Sequence, residues 1–336
     1  MNTKKRHCVV TGGAGFVGST LIDALIASGA SVTAVDNFST GRSVNLEHLH
    51  GNPRFRFVNA SASNKSLMAP IIANCDELYH LASYVGVKLA SQPNSETILN
   101  NLRCIDTILD LTANFGPRLL LTSTSEIYGK ALDVGRSNGM KLSEDADRVY
   151  GSTEIHRWSY AGIKAVEEFL TLAKHNESGL DAIIVRLFNV IGPRQIGRNG
   201  PVVPRLIEQA LADEPLTVYG DGSQLRCFTD IRDAIHAIVT LMARSDTAGE
   251  VFNVGNDDPV SIRALAELII EVTESSSTIE FIPHEAVFGT HFEDVSVRIP
   301  DVSKLERHAG IRCDVTLEES LHSIVEAYRM PGHSTT

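Results

Sequence analysis

Residues 8–18 read CVVTGGAGFVG, and the succession of residue types in this stretch decides the fold. The run Cys8-Val9-Val10-Thr11 suits a short buried strand. Glycines follow at 12, 13, 15 and 18, and then Phe16, Val17, Leu21, Leu25 and Ile26 recur at helical spacing. A strand that passes through a glycine-rich turn into a helix brings free backbone N–H groups to the helix N-terminus, where a pyrophosphate is held. Gly12, Gly15, Phe16, Val17 and Gly18 are therefore candidate dinucleotide-binding residues. The next β-branched run, residues 31–35, leads into Asp36 and Asn37. A carboxylate at that point bonds the adenosine ribose hydroxyls and repels a 2′-phosphate, which favours NAD over NADP. The alternative is an Asp-Asn turn closing the strand.

Outward from this unit, β-branched runs at residues 54–58, 77–81, 118–122 and 181–186 alternate with helically patterned stretches. That alternation predicts parallel βαβ units and an α/β, Rossmann-type doubly wound parallel sheet. Ile163, Val166, Phe169, Leu170 and Ala173 form one apolar helical face, expected to cover the sheet. After Arg186 the order loosens, with Gly192-Pro193 and Gly200-Pro201 as punctuation, and a smaller α+β substrate-binding lobe is expected. The expected division is a dinucleotide-binding domain over residues 1–187 and 226–258, the lobe over 188–225 and 259–330, and a frayed tail over 331–336. Thr316-x-x-Glu319 reads as a capping box opening a last helix through about Tyr328.

Composition excludes several classes. The formal net charge of −11 at pH 7 and the lack of a long Lys/Arg run argue against nucleic acid and anionic membranes as partners. Cys8, Cys75, Cys104, Cys227 and Cys313 are scattered with no C-x-x-C pair, which fits neither a disulfide framework nor a metal site. Reduced thiols, mostly in the core, are the expectation. The apolar run after Lys4-Lys5-Arg6 is too short for a signal-peptide core, and no stretch of about 18 apolar residues follows. A cytoplasmic protein is expected.

Tyr160-x-x-x-Lys164 places a phenol and an ammonium one helical turn apart, where the cation lowers the phenol pKa toward the range of a general base. Alone the pattern is common on amphipathic helices. It gains weight from Leu119-Leu120-Leu121-Thr122-Ser123-Thr124, a strand that runs into hydroxyl residues at its carboxyl end, where an open α/β sheet lines its ligand crevice. Thr124 is a candidate hydroxyl partner for Tyr160.

Six motifs occur in order: TGGAGFVGS from Thr11, Tyr79-His80-Leu81-Ala82-Ser83, Thr124-Ser125-Glu126-Ile127-Tyr128-Gly129, Tyr160-x-x-x-Lys164, Arg186-Leu187-Phe188-Asn189 and Arg226-Cys227-Phe228-Thr229-Asp230. Together they resemble the extended short-chain dehydrogenases that epimerise, dehydrate or decarboxylate nucleotide sugars. The resemblance implies NAD as cofactor, with Leu81, Ala82, Tyr160 and Lys164 beside it. It implies Thr124, Tyr160 and Lys164 as the catalytic set. Asn189 and Arg226 would sit at the sugar nucleotide's diphosphate, with Val87, Arg194 and Val203 as further substrate contacts. Ala60-Ser61 departs from the pattern, standing where relatives often carry an adenine-binding Asp.

Thr124-Ser125-Glu126, His156-Arg157-Trp158-Ser159-Tyr160 and the late Arg298 in the segment of residues 292–300 are similar to UDP-glucuronate decarboxylases. That resemblance adds Ser125, Glu126 and Arg298 to the catalytic set, with Arg298 also touching substrate, and implies a UDP-sugar converted through a 4-ketone. The 4,6-dehydratases usually carry Asp where Ser125 stands. A 4-epimerase shares every residue except those of the decarboxylation step, and a nucleotide-sensing protein without turnover is the reading from a different class. Helices around residues 95–115 and 159–175 resemble a pair that forms a four-helix dimer interface, which implies a homodimer. Their apolar faces are alternatively internal.

Overall fold

The alternating pattern becomes alternating structure in the computed structural model, which describes residues 6–84, 95–135, 141–197, 200–288 and 293–330. The first half runs β1 (His7–Thr11), α1 (Phe16–Ala27), β2 (Ser31–Asp36), β3 (Phe55–Asn59), α2 (Lys65–Ile72), β4 (Glu77–His80), α3 (Ser95–Phe115), β5 (Arg118–Thr124), α4 (Arg157–Ser178) and β6 (Ala182–Leu187). The second half uses shorter pieces: β7 (Val190–Ile191), α5 (Val202–Leu211), β8 (Leu216–Tyr219), β9 (Leu225–Arg226), β10 (Thr229–Asp230), α6 (Ile231–Met242) and β11 (Val251–Val254). It closes with β12 (Val260–Ser261), α7 (Ile262–Thr273), β13 (Ile279–Ile282), α8 (His284–Phe288), β14 (Val297–Arg298), α9 (Ser303–Ala309) and α10 (Leu317–Arg329).

Seven strands form one parallel sheet in the order β11-β6-β5-β4-β1-β2-β3. Helices cover both faces. On one, Leu21, Ile22 and Leu25 of α1 and Ile235 and Ile238 of α6 share a core with Val10, Leu120 and Val185. On the other, Met68 and Ile72 of α2 and Ile105 and Ile108 of α3 pack on Val9, Leu119 and Leu121. Burial on both faces is why these strands read as continuous apolar runs without alternation. The chain leaves β1 for β2 and β3 and returns to β4 on the other side of β1, so the crevice opens at the carboxyl ends of β1 and β4.

Close backbone packing at that crevice depends on glycine. Gly12 has φ +71°, and a Cβ there would lie 2.8 Å from the Ala82 nitrogen after β4. A Cβ at Gly18 would collide with the Gly12 carbonyl oxygen, so α1 approaches the turn only because that position is bare.

Two expectations are corrected. The face of α4 carrying Val166, Phe169 and Leu170 does not cover the sheet: these side chains are 42%, 61% and 40% exposed. Of the expected face Ile163 is buried, and with it the helix buries Trp158, Ala161, Lys164, Ala165, Glu167, Glu168 and Thr171. Charged groups take the inner side because each finds a partner there, Glu168 accepting two bonds from Arg186 at 2.7 and 2.9 Å. The second correction concerns α9, expected in the lobe, whereas Leu305 and Ile311 join the core of the parallel sheet.

The lobe has its own core, built from Leu206 and Ile207 of α5, Leu265 and Ile269 of α7, and Leu321 and Ile324 of α10. The capping box at Thr316 and Glu319 forms as expected and opens α10. A small sheet in the order β12-β9-β14 sets Arg226 and Arg298 opposite each other as register partners on parallel strands.

Candidate functional site

The glycine turn, α1 and the ends of β2 and β4 enclose a long groove. Gly12, Gly15 and Gly18 line it with Phe16 and Val17 of α1. Asp36 and Asn37 lie at one side, Leu81 and Ala82 at the floor. The Asp36 carboxylate accepts the Ala14 N–H at 2.9 Å and the Phe38 N–H at 2.7 Å, which fixes it at the mouth of the turn. Burial pushes its carboxyl up, opposed by those amide bonds. Ala60 and Ser61, where an acidic residue is absent, also line the groove. The missing Cβ at Gly12 and Gly18 leaves the backbone accessible at the helix N-terminus, so the residues present fit a dinucleotide pyrophosphate.

Tyr160 and Lys164 stand on α4 and are not among the residues that line the groove. The Lys164 ammonium is buried and donates to the Thr122 carbonyl at 3.1 Å and to Glu167 at 2.8 Å. Burial pulls its pKa down, but Glu167 and Tyr160 hold it above the ordinary value, so it is a cation. Burial raises the Tyr160 phenol above its ordinary value and outweighs the lowering expected from Lys164; Glu167 and Glu126 add to the rise, and a bond with Ser83 opposes it. His80 is held neutral, pushed down to about 3 by burial and by Lys164. Its ring meets the Thr11 hydroxyl at 2.7 Å, tying β4 to β1 below the site.

Thr124 ends β5 and caps the short 3₁₀ turn Ser125–Tyr128, its hydroxyl accepting the Glu126 N–H at 3.2 Å. Ser125 is buried inside that turn. Glu126 faces the charged side of the site, accepting from Arg298 at 2.7 Å and from Arg157 at 3.2 Å. Burial alone would raise its carboxyl; the two guanidinium groups bring it to about 2. Arg157 also donates to Asp294 at 3.0 Å, and Arg226 reaches the same carboxylate at 3.1 Å. Among the described residues three guanidinium groups thus pair with two carboxylates. Burial, with Arg298 alongside, brings Arg226 down to about 10. An additional anion would relieve this excess of positive charge.

The other expected substrate residues are spread along the boundary. Asn189, held at φ +35°, donates to the Cys227 carbonyl at 2.7 Å and so ties the end of β6 to the strand carrying Arg226. Arg194 lines the dinucleotide groove and pairs with Asp23 of α1 at 2.6 Å, away from the arginine cluster. Val203 is 1% exposed with its side chain in the lobe core, leaving only its backbone for a ligand. Val87 lies outside the described residues. Sequence reading left Ser83, Arg157, Asp294 and Glu167 without roles. Arg157, Ser83 and Asp294 had a signal in the segments that hold them, and Glu167 had one in its three-residue spacing from Lys164.

The family model described as NAD dependent epimerase/dehydratase family matches residues 8–255. Over 328 residues the chain is 39% identical to the UDP-N-acetyl-alpha-D-glucosaminuronate decarboxylase of Bacillus cytotoxicus, covering 97% of this chain and 98% of that protein. It is 36% identical to UDP-glucuronic acid decarboxylase 1 of Arabidopsis thaliana over 97% of this chain and 70% of the other. Among solved structures, UDP-glucuronic acid 4-epimerase from Bacillus cereus in complex with UDP-glucuronic acid and NAD superposes with a TM-score of 0.84 at 28% identity, covering 96% of this chain and 98% of that one. The glycine turn, the Tyr-Lys helix and these likenesses agree along the chain, which belongs to the NAD dependent epimerase/dehydratase family.

Proposed function

We propose that the chain decarboxylates UDP-glucuronate to UDP-xylose, with NAD held in the groove and regenerated at each turnover. The observation that carries this reading is Arg298. It is buried, one nitrogen is paired with Glu126, and its Nε–H has no partner among the described residues. A buried guanidinium with an open donor edge, in a cluster with an excess of positive charge, suits a carboxylate of the substrate. The relatives named as decarboxylases of uronic acid nucleotides support the same conclusion.

NAD⁺ supplies a hydride acceptor for C4 and returns the hydride at the end. Tyr160, with Lys164 beneath it, takes the proton from the C4 hydroxyl, and Thr124 holds that oxygen. The 4-ketone makes the C5 carboxylate a β-keto acid. Arg298 and Glu126 orient it while the C5–C6 bond breaks, CO₂ leaves, and the electron pair passes into the enolate. A proton taken up from solvent water then adds at C5 of the enolate, and Tyr160 returns its proton to the oxygen at C4. Asn189, Arg226, Arg194 and the backbone at Val203 are proposed to hold the nucleotide diphosphate and uridine.

Incubation with NAD⁺ and either UDP-glucuronate or its 2-acetamido analogue, with CO₂ trapping and NMR of the sugar, tests the proposal. We expect CO₂ and UDP-xylose from UDP-glucuronate. CO₂ from the acetamido sugar alone transfers the activity to the substrate class in the name of the Bacillus cytotoxicus relative. UDP-galacturonate without CO₂ makes the chain a 4-epimerase, and NAD binding without turnover makes it a sensor.

A homodimer is also proposed. Val166, Phe169 and Leu170 on α4 and Leu99 on α3 are exposed apolar side chains on two helices that pack together, a face suited to its own copy. The free cysteines agree with a reducing cytoplasm, and among the described residues no helix is long and apolar enough to cross a membrane.

A further inference from the structure

Helix α4 buries three charged side chains. Glu168 is accounted for by Arg186 and Arg148, and Lys164 by the proposed catalysis. Glu167, 2% exposed, is left over. Its side-chain bond is to Lys164, 2.8 Å away and one turn back along the helix. A buried ion pair returns little net stability against its desolvation cost, so this pair has no obvious structural use.

Its position suggests a different use. The Lys164 ammonium is fixed from one side by the Thr122 carbonyl and from another by Glu167. We propose that Glu167 is a positioning residue: it holds the ammonium of Lys164 beneath Tyr160 and offsets part of its charge, setting how strongly that charge acts on the phenol. The inference rests on Tyr160 being the base of the proposed reaction, whichever sugar nucleotide is turned over.

Among the described residues the charged and titratable surroundings are few. Tyr160 is faced by Lys164 and Glu167 from its own helix, by Glu126 from the turn after β5, and by the Ser83 hydroxyl after β4. Lys164 is faced by Glu167, Glu168 and Tyr160 on α4 and by the neutral His80 of β4. Glu167 is faced by Lys164 and Glu168, with Cys104 of α3 beside it. Within this set Glu167 raises the proton affinity of both Tyr160 and Lys164. Removing its charge while keeping its shape therefore makes the phenol easier to ionise and the ammonium easier to deprotonate.

The test is Glu167→Gln in the full chain with NAD⁺. Both limbs of the pH profile of kcat/KM should move to lower pH by about half a unit or more, which is about a threefold change in rate at a fixed pH on either limb. Titration of the ultraviolet tyrosinate band, as wild type minus Tyr160→Phe and Glu167→Gln minus the corresponding double variant, should show the same downward move for Tyr160 without any substrate. This second readout stands even if UDP-glucuronate is the wrong substrate, so failure of the proposed activity and failure of this inference are separable. Glu167→Asp keeps the charge but draws it back by one methylene, and should give a smaller displacement of the same sign. If the Gln variant does not fold, the Asp variant decides. Limbs and titration at wild-type positions in the folded variants overturn the proposal, even where the rate falls.

Discussion

Lys164 is held by more than its spacing from Tyr160, because the ammonium is clamped between the Thr122 carbonyl and Glu167. Tyr160→Phe preserves the ring and removes the proton acceptor. Turnover should fall by roughly 10²–10⁴-fold, the usual contribution of a positioned general base, while NAD binding measured by calorimetry stays near wild type. Near-normal turnover would remove Tyr160 from the mechanism. In the proposed reaction Glu126 and Arg298 belong to a later step. Arg298→Ala and Glu126→Gln should still oxidise C4, seen as nicotinamide absorbance on adding UDP-glucuronate, yet release little CO₂. A raised KM with unchanged kcat for Arg298→Ala would instead mean that the guanidinium only binds the ground state. Wild-type kinetics in both variants would leave a 4-epimerase as the better reading.

Among the elements, the β1–α1 turn tolerates little change. Gly12→Ala puts a Cβ against the Ala82 backbone at a positive φ, and backbone on both sides cannot yield as a side chain can. The variant should be destabilised by about 1–3 kcal/mol, as for residues forced into sparsely populated backbone conformations, with weakened NAD binding in the same preparation. An unchanged melting temperature and NAD affinity would contradict the close approach of β1 and β4. The turn and the strands were legible in the sequence, because a sheet buried on both faces demands continuous apolar runs and a tight turn demands glycine. The facing of α4 was not. Periodicity located Val166, Phe169 and Leu170 on one side but did not say what covers that side. It also could not show that Lys164 and Glu168 have partners inside, since Thr122 and Arg186 come from other strands. For the same reason Arg157 remained one residue of a motif until the fold brought Glu126 and Asp294 to it. The late helix α9 was misassigned because a short helix between lobe segments looks like part of the lobe.

At the scale of the whole molecule, the outward apolar face of α3 and α4 predicts the assembly. Phe169, 61% exposed, is its most open large side chain, and Arg148 lies over its ring at 5.7 Å. Phe169→Glu should convert a dimer into a monomer in sedimentation velocity while leaving the monomer's far-ultraviolet circular dichroism intact, because nothing in the core depends on that ring. A wild-type monomer at micromolar concentration would overturn the proposed homodimer.

The pairing of β9 with β14 has a consequence for building hybrids of such enzymes. Arg226 and Arg298 sit side by side on strands of two residues each, within the lobe, whereas Glu126, Arg157 and Tyr160 are anchored to the parallel-sheet domain. The arginine–carboxylate cluster is therefore stitched across a seam. A transplanted lobe preserves it only when β9, β14 and the aspartate ahead of β14 travel as a single cassette. Grafting the Arg298 strand alone would deliver the right side chain on a strand with nothing to set its register.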